Sequence, residues 1–478
     1  MGKDQAMNTF IRKFIGFSIG PVVGALLSFV TIPLTTYFIR PDEYGKASMF
    51  LLVQMIFATF LFLGIDQAYT RVYHEQQDKR CLFQNALLIP LILACLTLIL
   101  TLTMPGRVSQ ILFGTSHHGG SAVLFGVMII FMVLERFILL SIRMREQALA
   151  YSLLNIFVKF AVLTLTLIFV LFIRRDFLAV VYSAVFGQIL GDLYLLFRYR
   201  NLFQLNHFTV DRRLLKGMLT FGLPVVVATS LSSLLNSMDQ FSLRAWSSFY
   251  QIGIFAATLK IAAALSIIQT SFTSFWIPTA YRWYSEGKPI RYYQMVSDAI
   301  LLGMSTIAVF ILIFKDLIVA LLSSGYADAR YIIGFLCLPP IIFTVSETTC
   351  LGIVFSKKSY LGIWVGLIAL IPNIIINLLL VPLFGAVGAA TATAVSYIFF
   401  FAARTYFSAK NGLAFPVLRH YSVFLLLFGG AFLNLLPWQT VTLLNIGLLL
   451  VVLLIQYPAI HQIWLRFRRR EVAGIGKN

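Results

Sequence analysis

Charge is scarce in this chain, and acid scarcest: only 12% of its 478 residues are charged, with 18 Asp and Glu against 37 Lys and Arg. Signatures of covalent catalysis are missing too. There is no G-x-x-x-x-G-K-[ST] loop, no H-E-x-x-H and no G-x-S-x-G, which excludes a built-in P-loop ATPase, a zincin and a nucleophile-elbow hydrolase. Of the four cysteines, Cys95, Cys337 and Cys350 fall inside apolar runs and Cys81 beside one, so no disulfide framework is expected. The histidines are scattered, and His117 and His118 have no cysteine or carboxylate beside them. No metal centre and no cofactor is expected. Residues 1–13 are polar and the apolar run that follows is too long for a cleavable signal peptide.

What fills the chain is hydrocarbon: 59% hydrophobic residues and a mean hydropathy of +0.89. Apolar runs of roughly 18–25 residues recur from end to end, each able to cross about 30 Å of lipid as a helix. They predict about fourteen crossings at 14–38, 46–68, 84–104, 121–142, 151–173, 177–197, 217–238, 251–276, 293–314, 331–356, 359–382, 384–407, 420–437 and 440–464. Lipid leaves no water to satisfy an open backbone, so the fold class is all-α, a polytopic membrane protein. With both termini placed in the cytoplasm, about 26 of the 37 basic residues fall on inner segments and about 8 on outer ones. No basic segment is longer than a short loop, so the excess of positive charge reads as membrane orientation and not as nucleic-acid binding.

The inner connection 198–216 divides the chain into two six-helix halves, 1–210 and 211–415, leaving 416–478 for helices 13 and 14 and a basic tail. Each half opens on a helix with proline and small residues. The first has Gly16, Gly20, Gly24, Ser28, Thr31 and Thr35 with Pro21 and Pro33; the seventh has Gly222 and Pro224, then Thr229, Ser233, Asn236 and Gln240. A weak internal repeat of this kind is the skeleton of a transporter whose site lies between halves, although small residues at this spacing also simply pack helices.

Ionisable residues inside such helices are costly, at least about 2.5–3.5 kcal/mol on insertion scales, and mark wet paths. Lys159, Lys260 and Glu347 stand out. Lys260 has Ala256, Ala257, Ala263 and Ala264 one turn to either side, which leaves room around its ammonium. Lys159 lies at a depth similar to Glu135, so a Glu135–Lys159 or Glu135–Arg136 pair is the structural reading. Glu347 sits among Thr344, Ser346, Thr348 and Thr349 with no evident cation in sequence; it and Glu135 are the candidates for ion coupling. Arg71, with Gly64 and Asp66 just before it, lies near the inner mouth of helix 2, where a diphosphate needs cations. Asn236, Asp239 and Gln240 extend a polar face of helix 7. The candidate cargo-binding set is therefore Lys260, Arg71, Asp66, Asn236, Asp239, Gln240 and Lys159. Trp276 and Trp283 are interface anchors, or platforms for sugar rings.

The stretch KKSYLGIWVGLIALIPNIIINLLLVPLFGAVGAATATAVSY at 357–397, through Tyr360, Asn373, Asn377, Pro382, Gly385, Gly388, Ala389 and Ala390, resembles polysaccharide repeat-unit flippases of the multidrug/oligosaccharidyl-lipid/polysaccharide (MOP) exporter superfamily. IPLTTYFIRPDEYG at 32–45, GIDQAYTRVY at 64–73, TFGLPVVV at 220–227 and GIFAATLKIA at 253–262 add to it. The family often has arginine where Tyr37 or Phe38 stands here. The resemblance implies two MATE-like pseudo-symmetric lobes around a cavity lined by helices 1, 2, 7 and 8. It implies alternating access, without enzymatic chemistry, for an undecaprenyl-diphosphate-linked oligosaccharide of O-antigen, capsule, exopolysaccharide or teichoic type. The setting it implies is the bacterial inner membrane, with membrane lipids and a glycan polymerase and chain-length proteins as partners. The alternatives are a cation-coupled exporter of small molecules, which favours acidic cavity residues, and a membrane glycan polymerase or ligase, which usually carries a large outer loop.

Overall fold

The computed structural model describes residues 23–204, 209–356, 358, 360–436 and 441–461, without the side chains of 228, 229 and 232. Gly16, Gly20 and Pro21 of the expected first helix, the Thr229 hydroxyl, Lys357 and the tail beyond His461 lie outside the described residues. The structure forms two compact units that divide inside one helix, between Leu234 and Leu235.

The first unit contains α1 (Val23–Phe38), α2 (Pro41–Leu61), α3 (Ile65–Val72), α4 (Lys79–Thr103), α5 (Pro105–Phe113), α6 (Gly119–Met144), α7 (Ala148–Ile168), extended by a π-helical turn over Phe169–Ile173, and α8 (Phe177–Arg198). The long α9 (Arg212–Trp246) begins in this unit and ends in the second. The second unit continues with α10 (Phe249–Ala262), α11 (Leu265–Ser285), α12 (Ile290–Ile313), α13 (Lys315–Val319), α14 (Ala329–Thr349), α15 (Leu351–Phe355), α16 (Leu361–Phe384), α17 (Ala386–Lys410), α18 (Leu418–Leu433) and α19 (Val441–Ile455). Among the described residues, ten stretches are helical, long and apolar enough to cross a bilayer, and α1, α18 and α19 are shorter apolar helices. With α9 they meet each of the fourteen expected crossings. The connection after α4, expected as an outer loop, is itself partly helical, as α5.

Small residues decide how closely the helices approach, because between lipid-covered helices shape is the main source of adhesion. In the first unit Gly187 and Gly191 of α8 lie against Val162 and Val158 of α7; a Cβ at either glycine would come within 2.6 Å of the valine side chain. In the second unit α14 is the most enclosed of the ten stretches, and the alanine-rich first half of α17 is buried against its neighbours.

Two breaks shape the ends and middles of helices. Between α2 and α3, Leu63 and Gly64 are left-handed, at φ 48° and 69°. A Cβ on Gly64 would lie 2.3 Å from the carbonyl oxygen of Gly222 in α9, and one on Gly222 would lie 2.5 Å from that of Leu63. The two glycines let the chains touch backbone to backbone. The second break falls at Ala263–Ala264, between α10 and α11. Lys260, expected mid-helix, is therefore in the last turn of α10, next to an interruption of the ladder.

Candidate functional site

Two charged residues inside the first unit, Asp66 and Arg136, line one cavity. Its walls come from α2, α3, α6 and the first half of α9, and it encloses about 320 Å³, lined by Phe62, Gly64, Asp66, Gln67, Arg136 and Ser233 among others. Asp66, near the N-terminus of α3, is bound by Arg136 of α6: Nη2 and Nε donate to Asp66 Oδ2 at 2.6 and 3.2 Å. The Asp66 side chain is 9% exposed and that of Arg136 43%. The carboxylate thus anchors a partly exposed guanidinium that lines the cavity. The Phe62 ring lies 5.7 Å below the guanidinium carbon, a contact that favours Arg over Lys. Arg136 is roughly 12 Å along its helix from the α6 C-terminus, a depth at which an unpaired cation is expensive.

Toward the end of the helices expected to face the cytoplasm, a more open hollow of about 610 Å³ is lined by Arg71, Arg213, Lys216, Gly217, Thr220 and Phe221. Arg71 is exposed, with its guanidinium 4.6 Å above the Phe221 ring. Three cations and no carboxylate line this mouth. Arg213 and Lys216 looked in sequence like ordinary loop charges; what makes them a site is the start of α9 lying beside the end of α3.

Among the described residues Glu135 forms no close ion pair with either Arg136 or Lys159, although both lie within Coulombic range. Its Oε2 accepts from Gln188 Nε2 at 2.7 Å, and the same amide nitrogen reaches both oxygens of Asp192 at 3.1 and 3.0 Å. Lys159 lies within Coulombic range of Glu135, is itself exposed, and runs its stem past Gly24 of α1, where a Cβ would sit 3.5 Å from Lys159 Cγ. That distance is ordinary van der Waals contact, so Gly24 touches the Lys159 stem without being required there.

In the second unit the polar face of α9 leads to a cage. Asn236 is exposed and accepts from Tyr397 Oη at 3.4 Å. Asp239 is 2% exposed. It accepts at Oδ1 from Asn377 Nδ2 (2.8 Å) and Asn373 Nδ2 (3.2 Å), and at Oδ2 from the Thr393 hydroxyl. The Asn377 side-chain Oδ1 and Gln240 Oε1 are buried with no hydrogen-bond partner among the described residues. A carboxylate held by neutral donors beside an unsatisfied amide oxygen suits a proton or a hard cation. Asn373 and Asn377 stood in the sequence as an amide pair one turn apart, but nothing local linked them to Asp239.

Glu347, without an evident cation in sequence, has one in space. Arg404 Nη1 donates to Glu347 Oε1 and to Ser346 Oγ, both at 2.7 Å, and the guanidinium carbon lies 5.0 and 5.2 Å from the Phe343 and Phe400 ring centres. Arg404 is thus part of the interior, not a loop cation. Trp276 is 1% exposed and donates from Nε1 to the Glu347 carbonyl at 3.2 Å, so it is core and no platform for sugars. Lys260 is exposed, at the α10–α11 break.

Many apolar crossings, helices interrupted at Leu63–Gly64 and at Ala263–Ala264, and a guanidinium bordering a cavity together define a multi-pass membrane protein. The chain belongs to the family described as polysaccharide biosynthesis protein, which matches residues 10–283. Among solved structures it resembles the lipid II flippase MurJ in an inward closed conformation, with a TM-score of 0.68 at 14% identity over 94% of this chain and 99% of that one. An inward-facing multidrug resistance MATE family transporter of the MOP superfamily gives 0.61 at 16% identity, over 84% of this chain and 98% of that one. The outward-facing form of such a transporter gives 0.56 at 15% identity, over 84% and 94%. The chain shares the fold of these transporters. A search of curated proteins returns no significant match.

Proposed function

We propose that this protein carries a polyprenyl-diphosphate-linked oligosaccharide, of the undecaprenyl type used for O-antigen, capsule, exopolysaccharide or teichoic polymers, from the inner to the outer leaflet of a bacterial plasma membrane. The observation that carries the reading is the sequence of cations in the first unit: Arg71, Arg213 and Lys216 at the mouth, then Arg136 in the cavity wall. A diphosphate cannot enter hydrocarbon unaided. Planar guanidinium groups bind its oxygens in pairs and replace part of its hydration, while the polyprenyl tail stays in lipid. Lys159 and Lys260, both exposed, are further contacts for head group or sugar. Family membership and the likeness to a lipid II flippase agree with this cargo; the basic mouth is the opposite of what a binder of cationic drugs needs.

The Asp239 cage is the element we assign to coupling, in preference to Glu347, whose carboxylate is fastened to Arg404. Occupation of the cage by a proton or monovalent cation, exchanged as the protein alternates between access states, would supply the driving force. A glycan polymerase and its chain-length proteins are the consumers expected downstream.

Deletion of the gene followed by lipid extraction tests the reading. Repeat units trapped on their lipid carrier and facing the cytoplasm are expected. A normal surface glycan, with dye sensitivity as the sole phenotype, would point to a small-molecule exporter instead.

A further inference from the structure

A second basic pocket lies in the first unit, sharing no residue with the Arg71 mouth. It encloses about 650 Å³ where the start of α4, the end of α6 and the end of α8 meet. Four cations line it, Lys79, Arg80, Arg145 and Arg198, against one acid, Asp78. That acid is already committed: its Oδ1 caps α4 by accepting from the backbone N–H of Arg80 at 2.9 Å and of Cys81 at 3.0 Å. Lys79 is committed as well, its ammonium donating to the carbonyls of Tyr73 and Gln76. Arg80, Arg145 and Arg198 form no ion pair with a carboxylate among the described residues.

The pocket is built, not a chance of loop shape. Gln84, 8% exposed, donates from Nε2 to the carbonyls of Leu202 and Gln204 at 3.2 and 2.8 Å. Asn85, fully buried, accepts from Asp211 N–H at 2.9 Å and donates to the Thr209 carbonyl at 3.0 Å. Both amides fasten the segment after α8 to α4. Three guanidinium groups held near one another repel, so such a frame keeps a net positive hollow that an anion would relieve.

Its surroundings identify the anion's source. The pocket sits at helix ends, level with the headgroups of the leaflet expected to be cytoplasmic. Apolar side chains begin within a turn of it: Leu149 and Leu153 on α7 and Leu193 and Phe197 on α8 are all more than half exposed, at 65, 56, 53 and 73%. Charge at headgroup level with exposed hydrocarbon running down beside it matches an amphiphile better than a soluble ion.

We propose that this pocket holds the phosphate-bearing headgroup of an anionic phospholipid, its acyl chains lying along the exposed flanks of α7 and α8. The site is distinct from the transport path and does not depend on the cargo proposed above.

The test uses the full-length protein in phosphatidylcholine nanodiscs, titrated with fluorescent cardiolipin and, separately, with inorganic pyrophosphate. Arg145→Gln/Arg198→Gln should weaken cardiolipin binding roughly 10–30-fold, from about 1 kcal/mol for each basic residue removed. The melting temperature without anionic lipid should stay at the wild-type value. Arg80→Gln should weaken cardiolipin binding by a smaller factor, and pyrophosphate should compete poorly. Equal cardiolipin affinity in wild type and double variant would overturn the site. Tight pyrophosphate binding that needs these arginines, with cardiolipin binding unchanged by their loss, would overturn the lipid and leave a site for soluble phosphates.

Discussion

At the residue scale, the ionisable groups sort by what holds them. Arg136 is held by Asp66 and still faces a cavity; Glu347 is buried and held by Arg404, which is itself covered by two rings. The first arrangement preserves a reactive charge and the second hides one. Removing one member of such a pair strands the other, so Asp66→Asn should destabilise the protein by about 1–3 kcal/mol, less than for a fully buried pair because Arg136 is partly wet. Arg136→Gln should cost a similar amount, and the double variant less than the sum, measured as melting in detergent. Arg136→Gln should also lower transport at least tenfold at matched protein level; unaltered transport would remove Arg136 from the path. For the cage, Asp239→Asn should abolish the dependence of transport on whichever of sodium or pH gradient drives the wild type. A variant still driven by that gradient would show that coupling resides elsewhere. The sequence marked Asp66, Asp239, Glu135 and Glu347 because charge in apolar runs is conspicuous. It did not show their partners, which lie 53 to 154 positions away.

At the element scale, hydrophobic run length foretold the helices well because lipid imposes one solution on every long apolar segment. Breaks were less visible. Gly64 was legible as part of a motif, yet only the crossing of α3's start with α9 explains why residue 64 must be glycine: both a positive φ and a carbonyl in the place of a Cβ. Gly222→Val should therefore force α9 away from Leu63, with a cost of about 1–3 kcal/mol from overpacking. The expected readout is lower thermal stability or, where the contact closes one access state, a shift in the accessibility of cysteines placed along the cavity. Wild-type behaviour in both would show the contact to be slack. The interruption after Lys260 was likewise hidden, since Ala-Ala pairs favour continuous helix; tertiary placement overrides propensity there. Its position makes Lys260 part of a discontinuous helix, the form that transporters use at binding sites. Lys260→Ala should abolish translocation while leaving insertion intact, and a normal surface glycan in that variant would exclude the residue.

At the scale of the whole molecule, the all-α, many-helix membrane architecture could be read from composition and hydropathy alone, and the resemblance stated from the sequence agrees with the family match and with the fold of the flippase and MATE structures. The path of charge could not be read that way. Arg71 stood out beside Gly64 and Asp66, but Arg213 and Lys216 were two among many basic residues at helix ends, where snorkelling is the ordinary explanation. Only the fold puts them around one hollow. The central claim is that this hollow receives a diphosphate, and the most direct measurement is flipping by the purified full-length protein in liposomes. The cargo is a polyprenyl-diphosphate-linked oligosaccharide, and the wild type is compared with Arg71→Gln/Arg213→Gln/Lys216→Gln. The account predicts protein-dependent flipping that rises at low salt and falls at least tenfold in the triple variant. Equal flipping by both proteins, or none by the wild type in a preparation that exchanges cationic dyes, would contradict it.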